Sequence, residues 1–140
     1  MELLDVYDIN GNFIDVLDRS EAHKKDAQVY HKAVHVWLVN KNGELLIQKR
    51  AACKKTCPNR WDISAAGHVD HGENLLTACE RETFEELGVK IPKTNFIYVG
   101  EMLHKAQHEI TVQFIAKSDV DIKDIIVQPE EVSEVKWIDV

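Results

Sequence analysis

The stretch AVHVWLV, residues 33–39, restricts the fold of this chain more than any other part of it. Side chains on a strand alternate between two faces. Here Val34, Val36 and Leu38 share one face, while Ala33, His35, Trp37 and Val39 share the other. A strand that is apolar on both sides belongs inside a sheet, not at its edge. It runs through Asn42-Gly43, a pair suited to a tight turn, into ELLIQKR. LLDVYDINGNFIDVLD has the same hairpin form around Asn10-Gly11, and SEAHKKDAQVYH reads as a polar connector. WDISAAGHV is strand-like, NFIYVGEMLHKAQHEITVQFIAKS reads as a strand pair, and EVSEVKWIDV as a closing strand. Between them the period turns helical from Asn74 to Leu87, with Gly88 suited to the left-handed position after a helix. The expectation is an α+β fold on a mixed sheet.

The 140 residues suit one domain over 1–140, of which 1–30 is the hairpin and connector. A net charge of −7 speaks against gripping long nucleic acids, which takes a clustered basic face. No apolar run approaches the roughly 18 residues of a membrane span. MELLDVYDINGN lacks the basic and apolar regions of a secretory signal. Cys53, Cys57 and Cys79 read as reduced thiols, which points to the cytoplasm.

On the helix, Glu82, Glu85 and Glu86 fall within an arc of about 100°. Leu76, Thr83, Phe84 and Leu87 gather roughly opposite and are expected to face the core. Arg81 precedes Glu85 by four residues, in reach of an ion pair. Two like charges about 5 Å apart at an effective dielectric near 20 repel by roughly 3 kcal/mol. A Glu-rich helix is usually just a solvated surface. A hard divalent cation instead turns the crowding into attraction, since Mg²⁺ is held by a few carboxylates plus substrate phosphates.

The surrounding spacing is more specific. Gly67, five residues, Glu73, seven residues and then RETFEELGV resembles the Nudix box, with Thr83 standing where that signature has an aliphatic residue. The resemblance spans residues 67–89, and RWDISAAGHV and VQPEEVSEVKWIDV resemble the flanking segments of the same superfamily. It implies a loop–helix–loop box against an α/β/α sandwich with a mixed sheet. The implied chemistry is attack of water on phosphorus in a nucleoside diphosphate derivative or a similar small phosphorylated metabolite. It also implies Mg²⁺, or Mn²⁺, held by Glu82, Glu85, Glu86 and the carbonyl of Gly67, with Glu73 in support. The base that deprotonates water is Glu85, Glu82 or Glu109, since members of the superfamily differ here. The superfamily usually follows the closing strand with a second flanking helix. The sequence stops at Val140, so that helix is expected to be missing and its face to be covered by the N-terminal hairpin or by the partner in a homodimer.

Within the superfamily, AHKKDAQVYHKAVHVWLVNKNGELLIQKR, KKTCPNRWDISAAGHV and HEITVQFIAK are similar to the type 1 isopentenyl-diphosphate isomerase branch. That likeness implies a further metal position at His23, His31, His68 and Glu109, with Gln107 where a second acid ligand would stand. It also implies a cysteine where this chain has Ala66. A methyl group neither gives nor takes a proton, so hydrolysis is favoured and the isomerase is the alternative. Candidate substrate contacts are His68, Lys49, Arg50 and Trp137. Cys53-x3-Cys57 followed by His68-x2-His71 imitates a zinc pattern, but with spacings that argue against zinc. His35 reads as a hydrogen-bonded core or pocket residue, and Glu130-Glu131 as a solvent-facing turn.

Overall fold

The computed structural model describes residues 3–22 and 28–140. Its frame is β3, Tyr30–Val39. One edge of β3 pairs along its length, in parallel, with β8, Glu109–Lys117, from His31↔Glu109 to Val39↔Lys117. The other edge is shared in three sections. β1, Leu3–Tyr7, meets it at Tyr30 and His31; β6, Ala65–His68, pairs with residues 33–36; and β4, Glu44–Arg50, touches it only at Val39↔Leu45. β4 then swings away to pair with β9, Val132–Asp139, and with the two-residue β5, Trp61–Asp62. β2, Phe13–Asp18, completes the N-terminal hairpin on β1, and β7, Ile97–His104, pairs with β8 at the outer edge.

The two faces of β3 have different fates. Val34, Val36 and Leu38 join Val112, Phe114 and Ala116 in the main core, under the helix α2, Leu75–Leu87. The other face carries His31, Ala33 and His35, whose neighbours are His68 and Ala66 on β6 and Glu109, Thr111 and Gln113 on β8. It is therefore not the second apolar face that the alternation suggests. It forms the polar wall of a cavity. The split between β3 and β4 makes this possible, because a sheet that diverges opens a cleft between its halves.

WDISAAGHV is not one strand but two short ones, β5 and β6, broken at Ile63 and Ser64. The Ser64 hydroxyl accepts from Leu38 N–H at 2.8 Å and donates to the Leu46 carbonyl at 2.6 Å, so it bridges β3 and β4 where they part. The N-terminal hairpin extends the sheet beyond β1 and buries its own small cluster around Leu4, Val6 and Ala22. It does not lie across a sheet face as expected. Among the described residues α2 is the one long helix; α1, Arg19–Ala22, has a single turn.

The ends of α2 are as the sequence suggests. The Asn74 side chain accepts from Thr77 N–H at 2.8 Å, and Gly88 takes φ 67° while its N–H bonds the Phe84 carbonyl. The buried stripe is shifted, however. Ala78, Cys79, Thr83, Glu86 and Leu87 are inside, whereas Phe84 is 55% exposed. The helix lies over β6 at the rim of the cleft, so its inward arc takes in one carboxylate and releases the phenyl ring.

Thr83 is fully buried, and its hydroxyl has no hydrogen-bond partner. An unsatisfied buried hydroxyl costs roughly 1–3 kcal/mol. Thr83→Val keeps the shape and removes that cost, so urea unfolding should show stabilisation of about 1 kcal/mol.

Candidate active site

A cavity of about 790 Å³ opens between β3, β4, β6, α2 and the loop 51–60. Glu82, Glu85, Glu86, Gly67, His68, Arg81, Glu109 and Arg50 all line it. Lys49 and Trp137 do not. Lys49 sits in the sheet between Trp61 and Glu134, and the Trp137 indole packs against the main core and donates to the Val120 carbonyl at 3.2 Å. His31 is buried beneath the wall, and Glu73 stands behind Arg81. His23 lies outside the described residues.

The three box carboxylates occupy different environments. Glu86 is 6% exposed, and its Oε1 accepts from Gln48 Nε2 at 2.9 Å and from Ala66 N–H at 3.2 Å. Burial and the charge of Glu82 push its pKa up to about 8. Burial likewise raises Glu82, against the pull of the Arg81 charge. Glu82 lies directly over Gly67, where any Cβ would run into its carboxylate. A side chain at position 67 would displace the Glu82 carboxylate from this place, so the glycine lets the acid lie against the strand. Glu85 is open to solvent and touches Arg81 at 3.2 Å.

Arg81 ties this group together. Its Nε and Nη2 grip Glu73 at 2.8 and 3.0 Å, Nη2 also donates to the His68 carbonyl at 2.9 Å, and Nη1 reaches Glu82 at 2.7 Å. The pair with Glu85 expected from their spacing exists, but it is the longest of these contacts. Glu73 has its pKa lowered: burial works against it, but the Arg81 hydrogen bonds prevail. Glu73 also accepts from Asp70 N–H at 3.1 Å, closing the loop before the helix.

A second donor group stands on the polar wall. His31 Nε2 is 2.9 Å and His68 Nε2 3.6 Å from Glu109 Oε2, and all three ligand atoms lie within 4.8 Å of one another. Burial opposes charge on Glu109, but the two imidazoles outweigh it and hold this carboxyl far below the usual range. Cys53 and Cys57 take no part in this group, and Cys79 is a buried thiol pushed up to about 12 by burial.

Several cavity residues have no such role in the sequence reading. Gln48, Arg19 and Gln128 were not singled out by any motif, and Glu131, read as a solvent-facing turn, lines the cavity and pairs with Lys54. His35 also lines it, with burial lowering its pKa, so it presents a neutral imidazole. Gln48 could have been noticed as an amide on the alternating strand ELLIQKR, two residues before Arg50.

The NUDIX domain family model matches residues 29–140. The chain belongs to the Nudix family. An uncharacterised Nudix hydrolase of Listeria innocua is 42% identical over 108 residues, covering 77% of this chain and 63% of the relative. Nudix hydrolase 3 of Arabidopsis thaliana is 36% identical over 132 residues, covering 86% of this chain and 17% of the relative. This Nudix chain thus spans less than two thirds of the length of these relatives. An isopentenyl-diphosphate Delta-isomerase 2 of Photorhabdus laumondii is 32% identical over 141 residues, with 98% and 77% covered. Among solved structures, the DR0079 protein of Deinococcus radiodurans superposes with a TM-score of 0.77 at 24% identity, covering 99% of this chain and 83% of that one. That likeness confirms the Nudix fold.

The raised pKa of Glu86 makes metal-free stability depend on pH. A carboxyl with a higher pKa in the folded than in the unfolded chain keeps extra protons when folded, so stability falls as pH rises between the two values. For Glu86 that window runs from the ordinary 4.5 to about 8. Glu73 and Glu109, shifted downward, act below it. In EDTA the melting temperature should therefore drop from pH 5.5 to 8, and added Mg²⁺ should raise it more at pH 8 than at pH 5.5.

Proposed function

We propose that this Nudix domain hydrolyses a diphosphate linkage in a small phosphorylated metabolite, a nucleoside diphosphate derivative being the class its family suggests. The observation that supports the reading best is the close packing of Glu82 and Glu86 beside Gly67. Neighbouring buried carboxylates oppose folding unless a proton or a cation offsets their charge. The donors are carboxylate and carbonyl oxygens, which suit Mg²⁺ or Mn²⁺. Glu82, Glu86, Glu85 and the Gly67 carbonyl would hold it. A divalent ion there supplies positive charge against phosphate oxygens and lowers the pKa of water.

The chain's own groups account for the rest. Arg81 fixes the rotamers of Glu82 and Glu85 while Glu73 holds Arg81 in place. Glu85 is the best-placed base, since it is solvent-open and has one long contact. Glu109, held ionised by two imidazoles, is a weak proton acceptor. With His31 and His68 it fits instead a second cation position. Arg50, whose guanidinium is set by hydrogen bonds to the Thr56 carbonyl at 3.1 and 2.9 Å, is a phosphate contact. The same reading places the protein in the cytoplasm, where unpaired Cys53, Cys57 and Cys79 stay reduced, and makes it a homodimer through exposed Ile97, Val99 and Met102 on β7.

The isomerase reading is favoured by the His31–His68–Glu109 group and opposed by Ala66, whose methyl group carries no proton. With Mg²⁺ or Mn²⁺, a panel of diphosphates should be split at the phosphorus–oxygen–phosphorus link into two monophosphate products, and Glu82→Gln and Glu86→Gln should each reduce that cleavage to background. With isopentenyl diphosphate, dimethylallyl product and no phosphate would reverse the choice between the two activities.

A further inference from the structure

Gln48 sits on β4, 6% exposed, and its amide nitrogen has two acceptors: the Ser64 carbonyl at 3.0 Å and Glu86 Oε1 at 2.9 Å. A backbone carbonyl only accepts, so the nitrogen of the amide must face that way. The second N–H is then aimed at Glu86, whose Oε1 also takes Ala66 N–H. Both donors converge on one oxygen, Oε1, of a carboxylate that lines the cavity. We propose that Gln48 is a positioning residue for the cation site: it pins the buried carboxylate of Glu86 in one rotamer and selects the oxygen that binds the ion.

This rests on the reading that Glu86 holds a cation, and it goes beyond the box. Gln48 lies 38 residues from Glu86 in sequence and belongs to the sheet. Its strand departs from β3 after Val39↔Leu45, and Ser64 bridges the resulting gap. The amide thus ties the sheet directly to the helix that carries Glu86. Groups that orient a metal ligand are worth roughly 10–100-fold in metal affinity when removed.

The test uses Mn²⁺ alone, titrated into the metal-free protein and followed by electron paramagnetic resonance. Gln48→Met keeps the length of the side chain and loses both donors, and Gln48→Asn keeps the amide but withdraws it by one methylene. Each should weaken Mn²⁺ binding by roughly 10–100-fold and leave the melting temperature in EDTA within a few degrees of wild type. Ser64→Ala, which removes the bridge between strands but not the Ser64 carbonyl, should lower the melting temperature and keep wild-type Mn²⁺ affinity. Unchanged affinity in a folded Gln48 variant overturns the positioning role while the hydrolase reading survives. Equal losses in Ser64→Ala would show that the effect is a general loosening of the sheet, and would also overturn it. A wild-type protein that binds no Mn²⁺ removes both readings together.

Discussion

Everything at the centre of this fold follows from one uncomfortable fact, the burial of Glu86 in direct company with Glu82. A carboxylate taken out of water loses hydration, and a like charge beside it adds to the penalty. Two things make the arrangement tolerable in the protein alone. Glu86 receives N–H donors from Gln48 and Ala66, and Glu82 leans on the Arg81 guanidinium. A proton retained through the raised pKa of Glu86 relieves the rest. A cation entering such a site would take the place of that proton.

Arg81 shows how one cation can serve several acids without silencing them. Its bidentate grip is reserved for Glu73, and single contacts go to Glu82 and Glu85. The bidentate pair orients the guanidinium, and each single contact engages one oxygen of Glu82 or Glu85. Asp5 adds a separate tie, accepting from Gly72 N–H at 3.3 Å and meeting His71 Nδ1 at 2.7 Å, so the N-terminal hairpin holds the loop that opens the box.

The box and its helix were legible in the sequence because their information is local. The N-cap of Asn74, the positive φ of Gly88 and the glycine under Glu82 all depend on spacings within residues 67–89. The hairpin turns were legible for the same reason. Phe84 and Glu86 exchanged their expected environments because the position of a helix over a sheet decides burial, and its period alone does not. Trp137 and Lys49 do not line the cavity because the pairing of β4 with β9 sets where those strands run. The polar face of β3 was hidden by Ala33, Trp37 and Val39, three apolar letters around a histidine. The isomerase likeness groups His31, His68 and Glu109, and the register with β6 and β8 shows how the strands bring them together there.

The parallel union of β3 with β8 also sets an order of assembly. His31 and Glu109 are partners 78 residues apart, and a parallel pair cannot close until its crossover has been made. Glu109 therefore enters the cavity wall only through a contact of long sequence separation, whereas the box before it is local. One wall of the cleft is remote in sequence from the acids it faces.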